Sequence, residues 1–187
     1  MIPFLDALAS RVLVCDGAMG TMLYGKGVFI NRCFESLNLS QPGLEYLAAG
    51  ADVIETNTFG ASRLKLRAFG LGDQVHAINL AGARLAREAA GDRAYVAGAI
   101  GPLGVRIEPW GKTGVDEARE YFREQAAALV EGGVDLLMLE TFRDWNEAAA
   151  AIDAVRSVCD LPIVAAGTTG GDGHRPDRTP ARQFGPA

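Results

Sequence analysis

The sequence predicts an α/β fold made of about five strand–helix units, and a repeated segment is the first reason for that prediction. GADVIETNTF, at residues 50–59, recurs loosely as GVDLLMLETF, at residues 133–142. Each copy has a glycine, an acidic residue two places later, an apolar run and a Thr-Phe ending. That order is typical of a buried parallel strand whose carboxyl end carries chemistry. The copies start 83 residues apart, which corresponds to two strand–helix units of about 40 residues each.

The second reason is that apolar segments suited to strands alternate with segments of helical periodicity. The expected strands are Arg11–Asp16, Asp52–Thr56, Tyr95–Ile100, Asp135–Glu140 and Ile163–Thr168. Consecutive strands are separated by enough residues for a right-handed βα crossover, so we expect a parallel sheet.

Helices are expected between these strands, where apolar residues recur at near-helical spacing. The expected helices are a short one at residues 42–49, another at Ala61–Phe69, and a longer one at Asp73–Ala90 that Gly91 closes.

Two further helices are expected to begin at capping boxes, in which the side chains at both ends of a four-residue segment cap the helix. Thr113 and Asp116 form one such pair, before a helix that runs through Val130. Asp144 and Glu147 form the other pair, before the last helix.

Two architectures fit this order of elements, an open doubly wound sheet and an eight-stranded barrel that is cut short. A complete barrel usually needs about 250 residues, and the chain has 187. The favoured interpretation is an incomplete (β/α)8 TIM-barrel type that comprises about the first five units. On this interpretation the barrel portion covers residues 1–169, and residues 170–187 form an irregular tail rich in Gly, Asp, Arg and Pro.

The composition excludes several classes of protein. A net charge of −5 leaves no basic surface for nucleic acid. No apolar run approaches the ~20 residues of a membrane span, and the first residues lack the basic start of a signal peptide. Three cysteines without a paired framework favour free thiols in the cytoplasm.

The first candidate site follows the first expected strand, in the segment DGAMGT. Asp16 at the carboxyl end of that strand can bind an amine or orient a substrate. Alternatively, its carboxylate only braces the glycine turn that begins at Gly17. The segment lacks the spacing of a phosphate-binding loop.

The second group of candidates lies at the ends of the repeated strands. Asn57 and Thr58 follow one copy, and Glu140 lies at the end of the other. These residues can line a site or form a polar layer that closes the barrel. Glu55 needs a partner if it is buried, because burying an unpaired charge is costly.

The spacing of the cysteines does not indicate a metal site. Cys15, Cys33 and Cys159 contain no CxxC pair, and the two histidines, His76 and His174, are not spaced as zinc ligands. Each of these residues is interpreted as structural.

Taken together, these segments resemble the homocysteine S-methyltransferase family, which includes the homocysteine-binding module of cobalamin-dependent methionine synthase. The resembling segments are DGAMGTML, NRCFESLNLS, GADVIETNTFGASRLKL, AGAIGPLG and LLMLETF. They are similar above all to the bacterial form that is fused to a methylenetetrahydrofolate reductase. They occur in the family's order across most of residues 10–168.

The resemblance implies a (β/α)8 barrel in which a zinc ion held by three cysteines binds the homocysteine sulfur. Zinc lowers the pKa of the thiol and presents a thiolate nucleophile at neutral pH. The thiolate takes an activated methyl group and becomes methionine. By the same resemblance, Asp16 and Glu140 hold the amino acid end of homocysteine, and Gly17, Asn57 and Thr58 form the neighbouring pocket wall.

The chain departs from the family where the metal is expected. The family's zinc cysteines lie in a GxNC segment and a later GGCC segment, and neither occurs here. We therefore assign no metal ligand and no catalytic residue in this chain, and we expect it to be inactive alone. The methyl donor is unknown, and a fused or separate donor domain of the cobalamin or folate type is the expected partner. The alternatives are a non-catalytic truncated fragment and an unrelated barrel enzyme that uses Asp16 and Glu140 as an acid–base pair.

Overall fold

Four parallel strands in the order β1-β2-β3-β4 form the sheet in a computed structural model of the chain. The strands are β1 (Val53–Glu55), β2 (Tyr95–Ile100), β3 (Leu136–Phe142) and β4 (Ile163–Gly167). The structure describes residues 1–17, 19–25, 33–40 and 50–168. The helix expected at 42–49 and the tail expected at 170–187 lie outside these residues.

The helices and the strands alternate along the chain. They are α1 (Phe4–Ser10), α2 (Met19–Gly25), α3 (Leu37–Ser40), α4 (Arg63–Arg67), α5 (Val75–Ala90), α6 (Val115–Glu131) and α7 (Trp145–Arg156). Short 3-10 turns at Phe34–Ser36 and Gly72–Gln74 precede α3 and α5. No helix in the described ranges has the length and apolar character needed to cross a membrane.

The main core lies between the sheet and the three long helices, α5, α6 and α7. Phe122 of α6 and Phe142 of β3 are almost fully buried there, with ring centroids 5.9 Å apart. All six residues of β2 are buried, because this strand has a neighbour on each side and helices over one face. This layer fixes the positions at which the strands end.

The opposite face of the sheet is covered at its amino end by α1. Phe4 and Ala7 of this helix pack on Val53, Tyr95 and Leu136. The Phe4 and Tyr95 rings meet edge to face at 5.4 Å, and the Tyr95 hydroxyl donates to the carbonyl of Ile2 at 2.7 Å. This helix closes the amino end of the strands and leaves their carboxyl ends for a site.

The strand expected at Arg11–Asp16 is reduced to a single parallel bridge between Cys15 and Val53. The segment pairs on one side only, and Val12 is 84% exposed. Without burial or a second neighbour, a short segment gains too little to form a regular strand. The Asp52 carboxylate still fixes it, by accepting from the Val14 backbone and from Arg11, both within 3.0 Å.

The two expected capping boxes have different outcomes. Asp144 caps α7 through its side chain, which accepts from the backbone of Asn146 at 2.8 Å and from that of Glu147 at 3.4 Å. Glu147 does not complete this box, since its carboxylate accepts instead from the Leu103 backbone at 2.7 Å. The box at Thr113 is wrong: α6 begins after Gly114 without a side-chain cap.

Candidate functional site

Three carboxylates meet near the carboxyl ends of the strands. Asp16 receives the backbone N–H of Glu55, with 3.2 and 3.1 Å to its two oxygens. The Cys15 thiol lies 3.6 Å from Asp16 Oδ1 and 3.5 Å from Glu55 Oε1. Glu140 lies near Glu55, and its charge acts on the Glu55 carboxyl group. We call Asp16, Glu55 and Glu140 the acidic cluster.

The acidic cluster binds protons more tightly than ordinary carboxylates do. Burial, followed by the charges of Glu140 and Asp16, raises the pKa of Glu55 to about 7. Burial also raises the pKa of Glu140 and of Asp16. The Cys15 thiol has its pKa raised to about 12, by burial and then by the charges of Glu55 and Asp16. Negative charge is thus disfavoured here unless a cation lies beside the carboxylates, and the cluster favours such a cation.

A bulge in β3 sets the direction of the Glu140 side chain. The register between β3 and β4 shifts between Leu139 and Phe142. Within that shift Thr141 has φ of 67°, in the left-handed region that residues other than glycine rarely adopt. Bulges of this kind often lie next to functional sites, where they re-aim a side chain. Glu140 is turned towards Glu55 while Phe142 returns to the core.

Asn57 lies on the loop after β1, and other parts of the chain hold its amide. Its Nδ2 donates to the carbonyl of Phe34 at 2.8 Å and to Asn38 Oδ1 at 3.1 Å. No described residue donates to Asn57 Oδ1. The side chain is thus fixed in place, and one acceptor atom is left for a ligand.

Thr58 is fully buried, and each of its polar groups has a partner in the protein. Its hydroxyl contacts Thr56 Oγ1 at 2.6 Å and donates to the Ala99 carbonyl at 2.8 Å. Its carbonyl accepts from Gln125 at 2.7 Å. Gly17, in contrast, is exposed directly after Asp16. Thr58 therefore supports the site from beneath, and Gly17 lies at its rim.

The described residues do not supply a three-cysteine zinc site. Cys33 is buried and donates to Glu35 Oε2 at 3.3 Å, and Cys159 packs against the main core. Among the described ranges, one group of three potential ligands converges: Cys15, Asp16 and Glu55, with atoms within 4.8 Å of one another. One thiol and two carboxylates do not match the set that the family resemblance implies.

A lysine approaches the site from α4. The Lys65 ammonium lies 4.5 Å from the centre of the Phe59 ring, in the loop after β1. Its charge also acts on Glu140 and on Glu147. Burial lowers the pKa of Lys65, and the carboxylates of Glu35, Glu147 and Glu140 oppose that effect.

The sequence interpretation missed two residues at this site, Glu55 and Lys65. Glu55 is separated from Asn57 by one residue, so the alternation of the strand already allowed both to face inward. Lys65 carried no signal, because a lysine in a short helix is usually a solvated surface residue.

Comparisons with known proteins agree with the fold and with the family resemblance. A family model described as homocysteine S-methyltransferase matches residues 13–183. The methionine synthases of Mycobacterium tuberculosis and Mycobacterium leprae are each 32% identical, over 79% of this chain. The chain spans 14% of the length of these curated relatives.

Solved structures give the same result. Two crystal structures of the homocysteine methyltransferase MmuM from Escherichia coli superpose with a TM-score of 0.82. The metallated form is 24% identical and the oxidized form 26%, and the chain covers 70% of each. These matches confirm the expected fold class, an α/β part of a TIM barrel.

The family match also excludes the unrelated barrel enzyme that the sequence left open as an alternative. A family model that covers residues 13–183 and two curated relatives at 32% identity agree with the resemblance carried by the strand-end segments. This chain belongs to the homocysteine S-methyltransferase family.

Proposed function

We propose that this chain forms the part of a homocysteine S-methyltransferase that binds the amino acid end of homocysteine. The observation that carries the proposal is the acidic cluster at the carboxyl ends of the strands. A positive ammonium group is the natural ligand for three carboxylates that otherwise repel one another. The described strands and the loops that follow them provide this site.

Homocysteine binds through its α-ammonium group. Asp16 and Glu140 accept hydrogen bonds from the ammonium, and Asn57 Oδ1, which no described residue occupies, accepts a third. Gly17 lines the rim, where a side chain would restrict access. Thr58 acts from beneath by holding the loop after β1 to β2 through the carbonyl of Ala99.

The reaction transfers a methyl group to the homocysteine sulfur. The thiol gives up its proton, a bond forms between the sulfur and the methyl carbon, and the bond between that carbon and the donor breaks. A zinc ion of the kind that the family resemblance implies would favour the thiolate, but the described residues do not supply its three-cysteine set. The donor comes from a partner, fused or separate, that carries a methyl group on a cofactor such as cobalamin or folate. The free cysteines support a cytoplasmic location for this chemistry.

The chain on its own binds homocysteine without methylating it. Burial, followed by the charges of Glu55 and Asp16, raises the pKa of the Cys15 thiol to about 12, and the same two effects act on a substrate thiol that is bound nearby. Such a thiol stays protonated at neutral pH and is a poor nucleophile. The described residues supply no three-cysteine set that would reverse this effect.

Thermal unfolding of the 187-residue chain with added L-homocysteine tests the proposal. At a free concentration of about 100 times Kd, one site stabilises a protein by about 2.7 kcal/mol. We expect this stabilisation to disappear in Asp16→Asn and in Glu140→Gln. Glu131→Gln is the matched control, since Glu131 pairs with His76 on the exposed surface, and it retains the shift. A chain that homocysteine does not stabilise is a fragment without this binding function, and methionine formation by the chain alone contradicts its expected inactivity.

A further inference from the structure

Lys65 is a half-buried cation whose ammonium has no anionic partner in the described part of the chain. No described carboxylate lies within 4.0 Å of its Nζ, and no described oxygen accepts a hydrogen bond from it. Its close contact is the face of the Phe59 ring, at 4.5 Å. The three donors of the ammonium are therefore available to a ligand.

The carboxylates around Lys65 are already engaged elsewhere. Glu35 accepts from the Gly60 backbone at 2.8 Å and from Cys33. Glu147 accepts from the Leu103 backbone at 2.7 Å. The charge of Glu140 acts on Glu55. These three carboxylates favour a positive charge at Lys65 without forming an ion pair with it.

The surroundings hold Lys65 in this position. Phe59 fits against Gly101, where an added Cβ would lie 2.4 Å from the ring. The lysine Cε lies 3.5 Å from the place where a Cβ of Gly104 would stand. Both glycines follow β2, so the end of this strand makes room for the ring and for the lysine chain. An unpaired ammonium that is partly removed from water reduces stability, which is the usual pattern for a group that serves a ligand.

The acidic cluster and Lys65 carry the charges that complement a zwitterion. An α-amino acid carries its ammonium and its carboxylate on one carbon atom, so both must bind within a few ångströms of each other. The acidic cluster suits the ammonium but repels the carboxylate. Lys65 is the cation whose charge reaches Glu140, and it can offset that repulsion.

We propose that Lys65 binds the α-carboxylate of the amino acid substrate and thereby selects amino acids over simple amines. This inference rests on the proposed function. Lys65 then provides the positive charge of a site whose acidic cluster binds the ammonium group.

The test compares two ligands by calorimetric titration of the full chain. One is L-homocysteine, and the other is 3-amino-1-propanethiol, which has the same thiol and amine but no carboxylate. A charged hydrogen bond corresponds to an affinity change of about 10- to 100-fold. We expect Lys65→Met to weaken L-homocysteine binding by that factor and to leave binding of the aminothiol unchanged within about threefold. Lys65→Arg retains most of the preference, because it keeps the charge.

Lys112→Met serves as the matched control, because Lys112 is an exposed lysine on the loop between β2 and α6, and it alters neither affinity. Equal weakening of both ligands by Lys65→Met overturns the inference, and so does no weakening of either. A wild-type chain that binds neither ligand overturns the proposed function itself. Lys65→Met is also expected to unfold at the same or a higher urea concentration than the wild type. A clear loss of stability makes Lys65 a structural residue and contradicts the proposal.

Discussion

Replacing Glu55 with glutamine should make the protein more stable above pH 7, although Glu55 lies at the centre of the site. The Glu55 side chain is half-buried beside Glu140 and Asp16, and its pKa is raised from 4.5 to about 7. Between these two values the folded protein retains a proton that the unfolded chain releases. The free energy of unfolding therefore falls as the pH rises from about 4.5 to about 7, and it stays low above that range.

The magnitude follows from the shift. A rise in pKa from 4.5 to about 7 corresponds to at most about 3 kcal/mol. Because Glu55 is partly open to water, solvent screening reduces this figure to about 1–2 kcal/mol. Glutamine resembles the protonated acid, so Glu55→Gln removes the charge and keeps a side chain of the same shape.

Urea unfolding of both proteins at pH 5, 6, 7 and 8 measures the effect. The raised pKa of Glu147 acts on both proteins, so the difference between them reports Glu55 together with its effect on Glu140. We expect the advantage of Glu55→Gln to grow from near zero at pH 5 to about 1–2 kcal/mol at pH 8. A difference that does not change with pH, or a variant that is less stable at pH 8, would refute the reasoning.

Three further substitutions test the packing around the site, each by urea unfolding. Phe122→Ala should lower the free energy of unfolding by about 3–5 kcal/mol, because the ring is fully buried; a loss below about 1 kcal/mol contradicts the described core. Asp144→Ala should cost about 1 kcal/mol, since it removes the cap of α7, and no change argues against that cap. Gly101→Ala should lower the free energy of unfolding by about 1–3 kcal/mol, because the new Cβ would lie 2.4 Å from the Phe59 ring. Gly25→Ala is the control, since open space surrounds that position, and it should be tolerated.

The sequence predicts most accurately the elements that are equally buried along their whole length. Tyr95–Ile100 was predicted with the observed bounds, because a strand that is buried along its whole length is an unbroken apolar run. The segment Arg11–Asp16 has the same kind of composition, yet it forms a single bridge. Its conformation depends on the neighbouring strand, which lies on one side only. The local sequence pattern does not show how many strands will flank a segment.

The caps show a similar limit. Asp144 needs only the residues that follow it, and its cap was predicted. Thr113 is not the cap of α6, because that helix begins after Gly114, and Glu147 binds a residue 44 positions away. Contacts that span the fold compete with local capping, and the short motif does not show which one is favoured.

For the site, we predicted that Asp16 and Glu140 lie near each other because both were expected at the carboxyl ends of parallel strands. The position of Glu140 beside Glu55 depends on the bulge at Thr141, which its sequence does not reveal. The role of Lys65 depends on the loops that follow two different strands.

The most direct test of the account is a crystal structure of this chain with bound L-homocysteine. We predict that the α-ammonium lies within hydrogen-bond distance of Asp16 and Glu140, and that the α-carboxylate contacts the Lys65 ammonium. Homocysteine bound in the reverse orientation, or at a place away from the acidic cluster, would contradict it.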